Sequence, residues 1–152
     1  MQKITPNLWF KGNAEEAVNF YLSVFPKGRI ISTSYYPKEG LLDFQKEFAG
    51  KVLAIYFELM GEEFVAINAG PEFSFTEAVS FNIACKDQKE IDYYWEKLSA
   101  VPEAEQCGWC KDKYGLSWQI NPENIEKLML KPKAWEKLLS MKKIDIEALK
   151  NA

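Results

Sequence analysis

The chain has no histidine, and that absence excludes more chemistry than any single motif supplies. Without imidazole there is no Ser-His-Asp or Cys-His arrangement for nucleophilic catalysis, and no zinc or other metal site built on His. Cysteine is scarce, at three residues, an odd number that makes a poor disulfide framework. The opening Met1-Gln2-Lys3-Ile4-Thr5-Pro6 has no apolar signal core, so the thiols lead us to expect a reducing, cytoplasmic location. No apolar run approaches the roughly 20 residues of a membrane span. An excess of one charge is missing too. Lys and Arg number 19 against 22 Asp and Glu, a formal net charge of -3. We therefore expect neither a nucleic-acid nor a membrane partner.

What is present is a greasy, aromatic chain of ordinary domain size. Of 152 residues 47% are hydrophobic and 14% aromatic, which suits a packed globule and argues against disorder. The most organised stretch runs from Cys107 to Pro122. It reads as strand, turn, strand, with Asp112 to Gly115 reversing the chain. In its second half Leu116, Trp118 and Ile120 alternate with Ser117, Gln119 and Asn121, the period-two pattern of a half-buried strand. One face is apolar. The other carries amides and a hydroxyl, and is where a small ligand could be held.

From the N-terminus, Ile4 to Phe10 reads as a strand, confined to an edge by Pro6, which cannot donate to a ladder. Asn13 is placed to cap a helix over Ala14 to Phe25, with Glu15 and Glu16 at its start. Arg29 to Tyr36 is a further strand, Pro37 to Phe48 a loop, and Lys51 to Leu59 with Glu63 to Asn68 a hairpin about Met60-Gly61-Glu62. Ala69 to Thr76, with Gly70 and Pro71, is the candidate linker. Then the opening pattern returns. Ala78 to Cys85 is a strand, and Asp87 caps a helix to about Leu98 with Ile91, Tyr94, Trp95 and Leu98 inward. A spacing of about 74 residues nearly superposes Thr5 on Ser80, Asn7 on Asn82, Phe20 on Tyr94 and Tyr21 on Trp95. Each half reads strand-helix-strand-strand-strand, the second using a short strand near Glu103 to Gln106 before the ribbon pair. Beyond Pro122, three short helices are expected over Glu123 to Leu130, Lys133 to Met141 and Asp145 to Asn151.

Four stretches carry a resemblance. They are Ile-Thr-Pro-Asn-Leu-Trp-Phe-Lys-Gly-Asn-Ala-Glu-Glu-Ala over 4–17, Asn68-Ala69-Gly70-Pro71, Cys-Gly-Trp-Cys-Lys-Asp-Lys-Tyr-Gly-Leu-Ser-Trp-Gln over 107–119, and Met141-Lys142-Lys143-Ile144-Asp145-Ile146. Together they resemble the PhnB-like family, often labelled 3-demethylubiquinone-9 3-methyltransferase-like. It is a branch of the vicinal-oxygen-chelate superfamily of glyoxalase I, extradiol dioxygenases and bleomycin-resistance proteins. The resemblance implies an α+β fold of two tandem βαβββ modules, whose curved mixed sheets surround a cleft, usually within a homodimer. The expected boundaries are 1–122 for this domain, with module one at about 1–70 and module two at about 77–122, and 123–152 for a C-terminal helical extension.

The superfamily's enzymes place a divalent metal among His, Glu or Gln from the first and last strand of each module. Carried onto this chain, those positions give Thr5 or Asn7, Asn68, Ser80 and Gln119, and only Gln119 is a ligand type the superfamily uses. Neutral oxygens hold a divalent cation poorly, so the resemblance leads us to expect a cleft with no metal and no cofactor. Nor does a Gly-rich loop follow the first strand, as a nucleotide-type methyl-donor pocket would require. The cleft candidates are Thr5, Asn7, Trp9, Asn68, Ser80, Asn82 and Gln119. Trp118 belongs with Leu116 and Ile120 beneath a helix. Cys107-Gly-Trp-Cys110 has redox spacing, but a turn and not a helix follows it. Lys111-Asp112-Lys113 reads as a solvated turn. The expected function is binding of a small organic molecule, the alternative being a metal-dependent lyase, isomerase or dioxygenase of the same superfamily.

Overall fold

The computed structural model describes residues 2–152. The chain divides into two compact units, one ending at Ser74 and the other beginning at Phe75. In the first unit β1 (Asn7–Phe10) leads into α1 (Ala14–Val24), followed by β2 (Gly28–Tyr35), β3 (Val52–Leu59) and β4 (Glu62–Asn68). The sheet order is β1-β4-β3-β2, with β1 parallel to β4 and the other pairs antiparallel. This is a complete βαβββ module.

Local chemistry sets these boundaries. β1 begins at Asn7 and not at Ile4, because Pro6 has no N–H and joins the sheet only by accepting from the Val65 amide at 2.9 Å. Between β3 and β4 the turn is two residues long, with Met60 at φ 51 and Gly61 at φ 87, the doubly left-handed geometry that suits a tight hairpin. Leu8, Phe10, Ile55, Phe57 and Ala66 on the sheet, with Ala17, Val18, Tyr21 and Val24 on α1, form the buried core.

Asn13 was the expected cap of α1, yet its side chain makes no capping bond. Asn68 supplies the interaction instead. It stands opposite Phe10 in the sheet register, on the helix side, and its Oδ1 accepts from the Ala14 amide at 3.2 Å. Its Nδ2 donates to the Val52 carbonyl at 3.0 Å, and its own carbonyl accepts from the Tyr36 hydroxyl at 2.7 Å. One buried amide thus ties the helix start to two strands.

In the second unit β5 (Ser80–Cys85), α2 (Gln88–Leu98), β6 (Trp109–Lys111) and β7 (Ser117–Pro122) form a sheet of order β5-β7-β6. β5 runs parallel to β7, and β6 antiparallel. Asp87 caps α2 as expected, accepting from the Glu90 amide at 2.9 Å. Ile91, Tyr94 and Leu98 are its buried face, whereas Trp95 is only half-buried. The strand expected near Glu103 to Gln106 does not form. Its place is taken by a 3₁₀ turn, Pro102–Ala104, and a single bridge between Gln106 and Trp109. Proline withholds a donor there. Cys107 and Gly108, at φ 51 and φ 86, then reverse the chain before a ladder can extend.

The tail, α3 (Ile125–Leu128), α4 (Ala134–Leu139) and α5 (Ile146–Lys150), folds onto this second sheet by backbone and side-chain clamps. The Cys107 and Gly108 amides donate to the carbonyls of Met141 at 2.8 Å and Lys142 at 2.7 Å. The Gln88 side chain donates to the Ile144 carbonyl and accepts from the Ile146 amide, each at 2.9 Å. Ile144 and Leu149 are fully buried. Among the described residues no helix is long and apolar enough to cross a membrane.

Replacing Asn68 by Ala removes a helix cap and a strand tie together. We expect Asn68→Ala to lower unfolding stability by about 2–3 kcal/mol, read as a shift of the urea midpoint at constant slope. Asn13→Ala, by contrast, should leave that midpoint almost unmoved.

Candidate ligand-binding cleft

The site is set by the alternation of β7. Leu116, Trp118 and Ile120 are buried, while Gln119 and Asn121 are half-buried on the opposite face. What holds that register is Asp112, which the sequence reading placed in solvent and the structure buries completely. Its Oδ1 accepts from the amides of Tyr114 at 2.8 Å and Leu116 at 3.1 Å. Its Oδ2 accepts from the Trp118 indole N–H at 2.9 Å. A short acceptor that bonds the backbone two residues on is the usual device of a tight turn. Here it also anchors an indole, so a charge expected to be solvated is structural.

On the opposite face, Trp109 of β6 and Asn82 of β5 flank Gln119 in register. Two side-chain bonds cross the parallel pair. Gln119 Nε2 donates to the Ser80 hydroxyl at 2.9 Å, and Asn121 Nδ2 to Asn82 Oδ1 at 2.6 Å. Gln119 and Asn121 line a cleft of about 620 Å³ together with Glu77, Gln106, Cys107 and Trp109, and, from the tail, Ile125, Trp135, Leu138 and Leu139. Lys111 pairs with Glu77 at its edge. That bond from Lys111 holds the Glu77 carboxyl below its ordinary range.

Of the sequence candidates, Gln119 lines this cleft; Ser80 is bonded to it and Asn82 to the neighbouring Asn121, and neither belongs to the lining itself. Thr5 and Asn7 meet elsewhere, in the first unit, beside a hollow of about 480 Å³ shared with Tyr56, Glu63 and Val65; the Asn7 amide donates to the Thr5 carbonyl at 2.9 Å. Trp9 donates its indole N–H to the Gly70 carbonyl at 2.9 Å and meets Phe73 edge-on at 4.8 Å between ring centres. Asn68 faces α1, with both ends of its amide engaged. Sequence reasoning did not single out Gln106, Trp135, Leu138 or Leu139 for the cleft, and put Asn121 on the polar face of its strand without naming it among the cleft candidates. Asn121 had the signal, since it continues the polar alternation of Gln119. The tail residues had none, because their place depends on the Gln88 clamp and the Cys107-Gly108 turn.

The donor chemistry does not suit a metal. Among the described residues, no group of three or more His, Cys, Asp or Glu stands together to hold an ion. Gln119, the ligand type the resemblance offered, is bonded to a neutral hydroxyl, where a divalent cation calls for charged oxygens. The thiols are poor ligands as well. All three are free, and burial pushes Cys85 and Cys110 up to about 12, with carboxylates nearby adding to the effect. Cys107 lies in a turn and Cys110 is buried on a strand, not at the helix start that lowers a thiol pKa in redox pairs of this spacing.

The profile of the family described as 3-demethylubiquinone-9 3-methyltransferase matches residues 2–121. The chain belongs to this family. Its PhnB-like character also appears in solved structures. The PhnB protein of Bacillus cereus is 38% identical, with a TM-score of 0.62 over 78% of this chain and 98% of that one. A Pseudomonas aeruginosa protein shares 17% identity at TM-score 0.56, covering 81% of this chain and 98% of its own. The fosfomycin resistance protein FosX of Listeria monocytogenes, solved as a mutant with Mn(II) and a dihydroxypropylphosphonic acid, also shares 17%, at TM-score 0.55 over 86% of this chain and 100% of that one. At such identities the last two speak for the fold alone. No curated protein matches. The PhnB-like chain is thus an α+β member of the glyoxalase and bleomycin-resistance fold group, as the resemblance led us to expect.

An amide at Asp112 cannot accept all three bonds, since its NH₂ end would meet an N–H. We expect Asp112→Asn to cost about 2–3 kcal/mol. Urea unfolding would show the loss, and the Trp118 indole N–H resonance should move with it.

Proposed function

We propose that this PhnB-like chain binds a small organic molecule in the cleft of its second unit and does so without a metal ion. The observation that carries the reading is the make-up of the cleft. Apolar walls from Trp109, Ile125, Trp135, Leu138 and Leu139 enclose a few fixed polar groups, which is the usual design of a small-molecule site. The bonds that Gln119 donates to Ser80 and Asn121 to Asn82 fix the amides before a ligand arrives, and rigid polar groups lower the ordering cost of binding. Thr5, Asn7 and Trp9 offer a second, more polar surface on the first unit, and we assign them a secondary part. Asn68 acts through the fold.

We carry forward a homodimer and a cytoplasmic location as parts of the same proposal. The edge strand β2 leaves Ile30, Ile31 and Tyr35 exposed, which supports pairing with a second copy. Three free cysteines support a reducing compartment.

Native mass spectrometry and metal analysis of protein purified without chelator test the binding reading. We expect a substoichiometric metal content and an organic adduct whose occupancy falls at least about tenfold in Trp109→Ala, a loss of roughly 1.4 kcal/mol. Stoichiometric metal that disappears in Gln119→Ala would overturn the proposal in favour of a metal-dependent enzyme.

A further inference from the structure

The cleft-side face of the second sheet carries a further row of side chains. Residues two apart on a strand share a face, so beside the row Trp109, Gln119 and Asn82, in register across β6, β7 and β5, runs the row Lys111, Ser117 and Ser80. Its donors are underused. Ser117 is 1% exposed, and its hydroxyl has no partner among the described residues. Ser80 accepts from Gln119, and its own hydroxyl hydrogen meets no acceptor among those residues. Lys111 bonds Glu77, but the two partners differ: the Lys111 side chain is 22% exposed and that of Glu77 62%. Lys111 stands on β6, where its carbonyl accepts from the Ala100 amide at 2.9 Å. Glu77 belongs to the turn ahead of β5 and lines the cleft.

A mostly buried ammonium needs an anion beside it, whereas an exposed carboxylate gives up such a pair at small cost. The cation is therefore the fixed half of this pair and the anion the replaceable half. We propose, resting on the binding reading above, that Lys111 anchors the carboxylate of an aromatic acid in the cleft, a place that Glu77 holds until the ligand arrives. The exchange swaps one carboxylate for another, so Lys111 stays neutralised and its charge-assisted bond is kept. Released Glu77 turns to solvent, where its charge is hydrated. What the ligand adds is an apolar body. Its ring lies along Trp109, which precedes Lys111 on the same face of β6, and meets Trp135, Leu138 and Leu139 of the cleft lining. Its second carboxylate oxygen accepts from the Ser117 hydroxyl, next to Lys111 in register. That bond satisfies a buried donor whose isolation is otherwise costly.

Two naphthalene probes of nearly equal size, naphthoate and naphthylmethanol, each titrated calorimetrically into the full chain, isolate the part of the carboxylate. We expect naphthoate to bind at least about threefold tighter than the alcohol, because Glu77 competes for Lys111. Glu77→Gln, which frees Lys111, should tighten naphthoate by at least about threefold more and leave the alcohol within about twofold. Lys111→Met should abolish the advantage of naphthoate. Ser117→Ala should weaken naphthoate about threefold without lowering the thermal midpoint, since the hydroxyl it removes has no partner in the fold. Thermal unfolding of each variant shows that it is folded. Naphthoate no tighter than the alcohol, or no tighter in Glu77→Gln than in the unaltered chain, would overturn the carboxylate anchor and leave the cleft itself standing where the alcohol binds. An unchanged naphthoate affinity in Ser117→Ala would overturn the part given to that hydroxyl. If neither probe binds while the chain is folded, the binding reading fails along with the anchor.

Discussion

A fully buried carboxylate organises the second half of this molecule. Asp112 takes two backbone N–H groups of its own turn and one indole N–H from β7, so turn geometry and strand register are fixed by the same side chain. Burying a carboxylate is expensive unless its acceptor sites are filled, and three donors fill them here. Once Trp118 is held on the inner face, strand alternation leaves no freedom. Gln119 and Asn121 must face the other way, where they meet Ser80 and Asn82. The floor of the cleft is therefore a consequence of a turn several residues away.

The first unit reaches a similar end by a neutral route. Asn68 closes the gap between the start of α1 and the start of β3, the task that a residue preceding the helix usually performs. The two modules are thus alike in topology and unlike in their key residues. A complete βαβββ sheet stands in the first. In the second, a bridge replaces a strand and helices of the tail supply the missing wall. Loss of that strand and gain of the tail belong together, because the Cys107-Gly108 turn that ends the ladder also donates both amides to Met141 and Lys142. Gly108 permits this contact. A Cβ there would lie 2.7 Å from Ile144 Cδ1.

Much of this was legible in the sequence. Alternation in Leu116, Trp118 and Ile120, helical spacing in the two strand-helix units and their offset of about 74 residues placed the elements, since each is a statement about period, and the motif resemblance supplied the fold. Illegible were the features that depend on long-range partners. Asp112 between two lysines looks solvated until the Trp118 indole is known to lie over it. Asn68 looks like one more strand residue until Ala14 is brought across 54 positions of chain. The tail looks merely amphipathic until Gln88 clamps it. Local composition cannot report such bonds, because neither partner carries a signature alone. The family match adds the fold.

The central claim is that the working face of this PhnB-like chain is the amide row of the second unit, beneath α4. Backbone amide chemical-shift mapping by NMR during titration with a small aromatic probe, naphthylmethanol, tests it most directly. The account predicts shifts concentrated at Gln106 to Trp109, Gln119 to Asn121 and Ala134 to Leu139, with Thr5, Asn7, Tyr56 and Glu63 quiet. Shifts concentrated on those four residues of the first unit instead would contradict it.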